Sequence, residues 1–158
     1  MLLPFFEWMQ DLGVSNFFLQ KTWASPIVQC IHLVAIVVFT GAILIVDVRM
    51  LGRGLTSRPL AELAREAEKW MIGGFLVLLA TGIPMMMSLA LKQYYSPFFW
   101  WKMQLMAAGV VFTFTIRRRV ALAEEGKHGS ILPKAVAVLS MAIWGGVAIW
   151  ARLIGLMS

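Results

Sequence analysis

Four stretches of the chain are apolar for about the length that crosses a bilayer, and this limits what it can fold into. Roughly 20 consecutive apolar residues span the hydrocarbon core as a helix. The stretches run from about residues 26 to 48 (PIVQCIHLVAIVVFTGAILIVDV), 70 to 91, 97 to 116 and 133 to 156. Composition agrees. Of 158 residues, 60% are hydrophobic and 14% charged, where a water-soluble domain carries about 25% charged residues. In lipid every backbone N–H and C=O must be paired within the chain, so such segments become helices. The expected fold is therefore all-α: an integral membrane four-helix bundle with antiparallel neighbours.

Proline punctuates this pattern. Pro26, Pro97 and Pro133 stand at the starts of three segments, where a missing N–H costs nothing. Pro84 lies inside the second, after Thr81 and Gly82. There it removes a backbone hydrogen bond and is expected to kink the helix.

Residues 1–22 are too polar to span. Phe5, Phe6, Trp8, Met9, Leu12, Phe17 and Phe18 alternate with Glu7, Gln10, Asp11, Asn16 and Lys21. This pattern predicts an N-terminal interfacial helix, broken near Gly13 and Ser15, lying in the headgroup layer. With no positive start and with Glu7 and Asp11 interrupting it, the segment does not read as a cleaved leader. The domain reading is thus an interfacial segment over 1–22 and a transmembrane bundle over 23–158.

The net charge of +6 has its explanation in the connections. Arg49, Arg53, Arg58, Arg65 and Lys69 lie between the first and second segments. Arg117, Arg118, Arg119, Lys127 and Lys134 lie between the third and fourth. Together they are ten of the fourteen lysines and arginines. Positive connections stay cytoplasmic, which places the N-terminus and C-terminus outside. No nucleic-acid-binding motif accompanies the charge. Trp23, Tyr94, Tyr95, Trp100, Trp101 and Trp150 fall near the outer boundary and Trp70 near the inner one, as aromatic belts do. Residues 57–69 (SRPLAELAREAEK) predict an amphipathic helix ahead of the second span, with Ser57 as cap and Pro59 in the first turn. Opposite charges three apart, Glu62–Arg65 and Glu66–Lys69, suit its solvated face.

His32 is the first candidate for chemistry. It lies about six residues into the first span, roughly 9 Å below its outer end at 1.5 Å per residue. Ionisable groups inside membrane helices are costly and read as functional by default. A simpler role is a neutral imidazole bonded to a neighbouring helix. At the same depth the pattern places Gln29, Cys30, Met85, Met86, Met87, Lys102, Met103, Gln104 and Arg152. Two cofactors fit this collection. Haem iron accepts histidine and methionine as axial ligands, so His32 and Met86 would hold a haem b whose propionates meet Lys102 and Arg152. Alternatively, His32, Cys30, Met85, Met86 and Met87 supply the imidazole and soft sulfur that suit copper. Against both stands the ordinary use of methionine as core filler and of lysine and arginine as snorkelling residues.

Other polar residues carry less. His128 sits in EEGKHGS on the cytoplasmic side, opposite His32, and reads as a loop histidine. Asp47 and Arg49 are two apart and do not face each other on a helix; Asp47 is expected to pair with Arg117 or Arg118. With one cysteine, no intrachain disulfide forms. There is no Ser/His/Asp set, CxxC, phosphate-cradling loop or intramembrane carboxylate pair, so enzyme activity is not the expectation. Gly73–Gly74, Gly82, Gly109 and Gly145–Gly146 read as close helix-packing positions.

Three stretches, IHLVAIVVFTGAILIVDVRMLG (31–52), PFFWWKMQL (97–105) and WGGVAIWARLIG (144–155), resemble a family of small, functionally uncharacterised bacterial four-helix membrane proteins. The first, with its early histidine and a glycine nine residues on, is also similar to copper-resistance-D-type membrane domains and b-type cytochrome bundles. The resemblance implies a multi-pass protein of the bacterial inner (cytoplasmic) membrane and falls on His32, Asp47, Arg49, Lys102 and Arg152. The chain departs from bis-histidine bundles in having no second helix-borne histidine at matching depth. The expected function is a non-catalytic membrane subunit or electron-transfer module with a b-type haem at His32. A copper-handling protein and a purely structural subunit are the alternatives. The expected partners are the lipid bilayer and other membrane subunits or further copies of itself.

Overall fold

The computed structural model describes residues 3–13, 23–54, 57–123 and 131–157, with side chains described through Ile154. His128 and the basic residues Lys21 and Lys127 lie outside the described residues. All elements in the described residues are helical. In chain order they are α1 (Leu3–Asp11), α2 (Ala24–Met50), α3 (Leu60–Ser88), α4 (Ala90–Tyr94), α5 (Pro97–Phe112), a π-helical turn (Thr113–Arg117), α6 (Arg118–Ala123) and α7 (Ile131–Met157).

Three of these, Ala24–Met50, Leu60–Ser88 and Ile131–Ile154, are long and apolar enough to cross a membrane. Their outward faces carry large apolar side chains, including Val34, Val37, Leu76 and Ile149, each at least 60% exposed. A water-soluble protein does not present such a continuous apolar surface; lipid is the solvent that matches it.

The boundaries follow local chemistry. Pro26 and Pro133 fall in the first turns of α2 and α7, and Pro97 opens α5. The 57–69 segment is not a separate helix: it runs without a break into the second span, because Leu60, Leu63 and Ala67 bury one face against α2. Its start also differs from expectation. Pro59, not Ser57, occupies the cap position, and no side chain caps the first turn. Ion pairs form across elements rather than three apart along the helix: Arg58–Glu66 at 3.5 Å and Arg118–Glu68 at 2.9 Å. Helix α3 continues past Pro84 to Ser88 and ends at Leu89, which is why the second apolar stretch divides into α3 and α4. At the end of α2, Gly52 and Gly54 take positive φ (76° and 75°), a conformation that favours glycine and turns the chain out of the helix.

Packing is closest between antiparallel α2 and α3. The backbone of α3 at Gly74 lies so near α2 that a Cβ there would meet Phe39 backbone atoms at 3.2–3.3 Å. Helices α5 and α7 form a second closely packed pair, and α2 also packs on α7. At mid-height, the Phe39 ring meets Trp144 edge-on at 4.8 Å and Phe75 at 5.8 Å. The main core continues toward the α2 C-terminus through Ile43, Val46, Met71, Phe112 and Ala137.

At the opposite end, α1 does more than lie on the surface. Phe6 and Met9 are buried in a second cluster with Ala90 and Phe99, against Met86, Tyr94, Trp100 and Met103. Phe5 and Trp8 stay exposed. Gln10 Oε1 accepts the Leu91 N–H at 3.1 Å, satisfying a backbone donor in the first turn of α4.

Candidate functional site

Two polar layers lie within the apolar frame. The first surrounds His32, in the third turn of α2. Its Nδ1 is 2.7 Å from Thr81 Oγ1 of α3. The Thr81 hydroxyl has one proton and donates it back along its own helix, to the Val77 carbonyl at 2.7 Å. The imidazole is then the donor to Thr81. Assigned from this network, the neutral ring carries its proton on Nδ1 and keeps the Nε2 lone pair. The ring rests on Gly82, where a Cβ would meet Cε1 at 3.2 Å. Thr81 and Gly82 thus form a donor-accepting, closely fitted seat that the apolar pattern alone does not reveal. The signal for them was their position: in antiparallel register they stand level with His32.

Lys102, one turn into α5, is half-buried and close enough for its charge to bear on the His32 ring. It makes no ion pair or hydrogen bond with another described residue. A cation in this position without an anion is costly, and an anionic group brought by a ligand would offset that cost.

The remaining residues of this depth are placed differently. Met86, Met87 and Met103 pack on the Phe6–Phe99 cluster. Met85 is half-buried, and its carbonyl accepts the Ser88 hydroxyl at 2.9 Å. Cys30 is exposed and faces a groove lined also by Ile31 and Val34. Gln29, Gln104 and Arg152 are exposed. Among the described residues no three His, Cys, Asp or Glu side chains cluster to hold a metal ion. A metal at His32 would therefore draw its other ligands from methionine sulfur or from a porphyrin.

The second layer lies near the C-terminus of α2. Arg117, the last residue of the π turn, donates from Nε to Asp47 Oδ1 at 2.6 Å and from an Nη to the Ile43 carbonyl at 2.7 Å. Its other Nη approaches Met71 Sδ at 3.7 Å. Asp47 and Arg117 are 0% and 3% exposed. Trp144 Nε1 donates to Thr113 Oγ1 at 3.1 Å. Ser140, fully buried on α7, places its hydroxyl beside the Asp47 carboxylate, outside hydrogen-bond geometry; Asp47 Oδ2 and Ser140 Oγ are the buried side-chain atoms without a partner among the described residues. Arg49, by contrast, reaches the Arg58 carbonyl at 3.2 Å and ties the connection to the helix end. The layer joins α2, α3, α7 and the π turn around one ion pair. From His32 to Asp47 is fifteen residues, or roughly 22 Å along the helix, with the Phe39 aromatic cluster between.

Residues 5–157 match a family described as "Family of unknown function (DUF6644)". No curated protein matches the chain, and no solved structure does.

Proposed function

The chain belongs to that family of unknown function, and from this premise we propose that it is a non-catalytic integral membrane subunit or electron-transfer module that holds a b-type haem through His32. The observation that carries the reading is the hydrogen-bond relay from His32 Nδ1 through Thr81 Oγ1 to the Val77 carbonyl. Metal-ligating histidines commonly donate their second ring N–H to such a partner, which sets the tautomer and ring orientation. The free Nε2 is the atom that would ligate iron. Lys102, lacking an anion, would receive a propionate, with Arg152 of α7 as the second cation. Bound there, the iron supplies one-electron transfer. Met86 packs against the Phe6–Phe99 cluster and would need to leave it to join His32 in holding the group.

In the membrane, α5 is the fourth span. Its residues 97–112 carry a single charge, Lys102, and Val111 and Trp101 are exposed on its outer face. The basic connections then lie on the cytoplasmic side of a bacterial inner membrane and both termini outside.

Visible spectra of protein purified in mild detergent from haem-replete cells, with and without dithionite, test the proposal. A Soret band that is lost in His32→Ala supports it. Copper without a Soret band moves the assignment to a copper-handling protein using His32 with Cys30, Met85, Met86 or Met87. A colourless, metal-free preparation leaves a structural subunit that packs against partners or further copies of itself.

A further inference from the structure

We propose that the α2–α3 face holds one anionic phospholipid, with its phosphate on Lys69 and Arg65 and an acyl chain in the groove above them. The groove has a volume of about 810 Å³. Its walls are Val34, Ala35 and Val38 of α2 and Trp70, Gly73 and Val77 of α3. Gly73 has nothing within 4 Å of a built Cβ, whereas Gly74 beside it is pressed against Phe39. The two glycines divide the work: Gly74 lets the helices close and Gly73 leaves the hollow outside them.

Charge complementarity selects the occupant. Lys69 lines the foot of the apolar groove and also a polar hollow of about 260 Å³ shared with Arg65, Glu62 and Glu66. Glu66 is engaged by Arg58 at 3.5 Å. Arg65 and Lys69 make no ion pair among the described residues. Glu62 in the same hollow makes no ion pair among the described residues either, so two cations against one carboxylate leave a net positive charge where the helix leaves the hydrocarbon, beside an exposed Trp70 of the kind that favours the headgroup level. Above them the groove is apolar for roughly 20 Å along the helices, against about 15 Å for half of a bilayer core. A phosphate at the foot and a hydrocarbon chain along the length match both halves. A helix of a second copy would match only the upper one.

Native mass spectrometry of the full chain, released from detergent after exchange into phosphatidylglycerol or phosphatidylcholine, tests this. The wild type is expected to retain one phosphatidylglycerol in clear preference to phosphatidylcholine. Lys69→Gln and Arg65→Gln are each expected to weaken retention of phosphatidylglycerol about fivefold, and together to abolish the preference. Gly73→Leu, which projects into open space, is expected to expel both lipids with the helical circular dichroism unchanged. Equal retention of the two lipids by the wild type overturns the proposal. So does retention unaffected by the charge variants, or a dimer that Gly73→Leu dissociates while lipid binding persists.

Discussion

Arg117 Nε donates to Asp47 Oδ1 at 2.6 Å, and neither side chain reaches the surface. The pair joins α2 to the π turn between α5 and α6, and the same guanidinium also takes the Ile43 carbonyl. A buried ion pair does not by itself stabilise a protein, because both charges have lost their water. Once present, however, each partner becomes necessary to the other.

Removing one partner should therefore be far worse than removing both. Arg117→Met leaves the Asp47 carboxylate buried and uncompensated, at a cost of about 3–5 kcal/mol. Asp47→Leu combined with Arg117→Met should recover most of that. Thermal unfolding in detergent measures it. A single variant as stable as the wild type would show that the pair is not needed for packing.

The glycines should separate by neighbour rather than by sequence. Gly74→Ala pushes a methyl into the Phe39 backbone at 3.2–3.3 Å, and overpacking of this kind costs about 1–3 kcal/mol. Gly73→Ala meets open space and should be neutral or stabilising by up to about 1 kcal/mol, through helix propensity. At Gly146 the neighbour is the flexible end of Leu105, so Gly146→Ala should fall between them. Thermal midpoints of the three variants check the order.

Thr81→Val keeps the shape of the seat and removes the hydroxyl that accepts from His32. Without any cofactor, the loss should be about 0.6–2 kcal/mol, the range for hydrogen bonds between membrane helices. If haem is bound, its affinity should fall about 10–100-fold, as for other partners of ligating histidines. Nitrogen NMR of the imidazole reads the tautomer directly. A proton found on Nε2 in the wild type would remove the basis for His32 as a ligand.

Phe6→Ala should release α1 from the Phe6–Phe99 cluster. Phe6 is 5% exposed, with its ring 5.2 Å from Tyr94 and 6.0 Å from Trp100. Truncating a buried phenylalanine costs about 3–5 kcal/mol, and α1 has little other core. Faster amide hydrogen exchange over residues 3–11, with the α2–α3 core unchanged, is the expected result. Unaltered exchange would show that Met9 and the Gln10 bond suffice.

The apolar runs were legible because lipid and water demand opposite surfaces. The expected spans at 26–48 and 133–156 fall within α2 and α7, and the prolines mark their first turns. The helix that carries the second apolar stretch begins earlier than expected: 57–69 predicts a separate amphipathic helix, yet its apolar face packs on α2 and carries the helix straight through. The expected partner of Asp47 was Arg117 or Arg118, and sequence had no means to choose. The π turn over Thr113–Arg117 takes up an extra residue and turns Arg117 inward, leaving Arg118 for Glu68. For the candidate site, His32 and Lys102 stand out as ionisable groups inside apolar runs, whereas Thr81 reads as an ordinary small polar residue.

By itself the sequence determined that this chain forms apolar helices and how far along each helix its polar residues stand. Those follow from composition along the chain and a fixed rise per residue. Only the tertiary structure decided which polar groups meet, that Met86 and Met87 pack beneath α1, and that Gly73 opens a groove while Gly74 closes one. Each outcome depends on how far every helix is rotated about its own axis, and that rotation is set by the side chains of its neighbours.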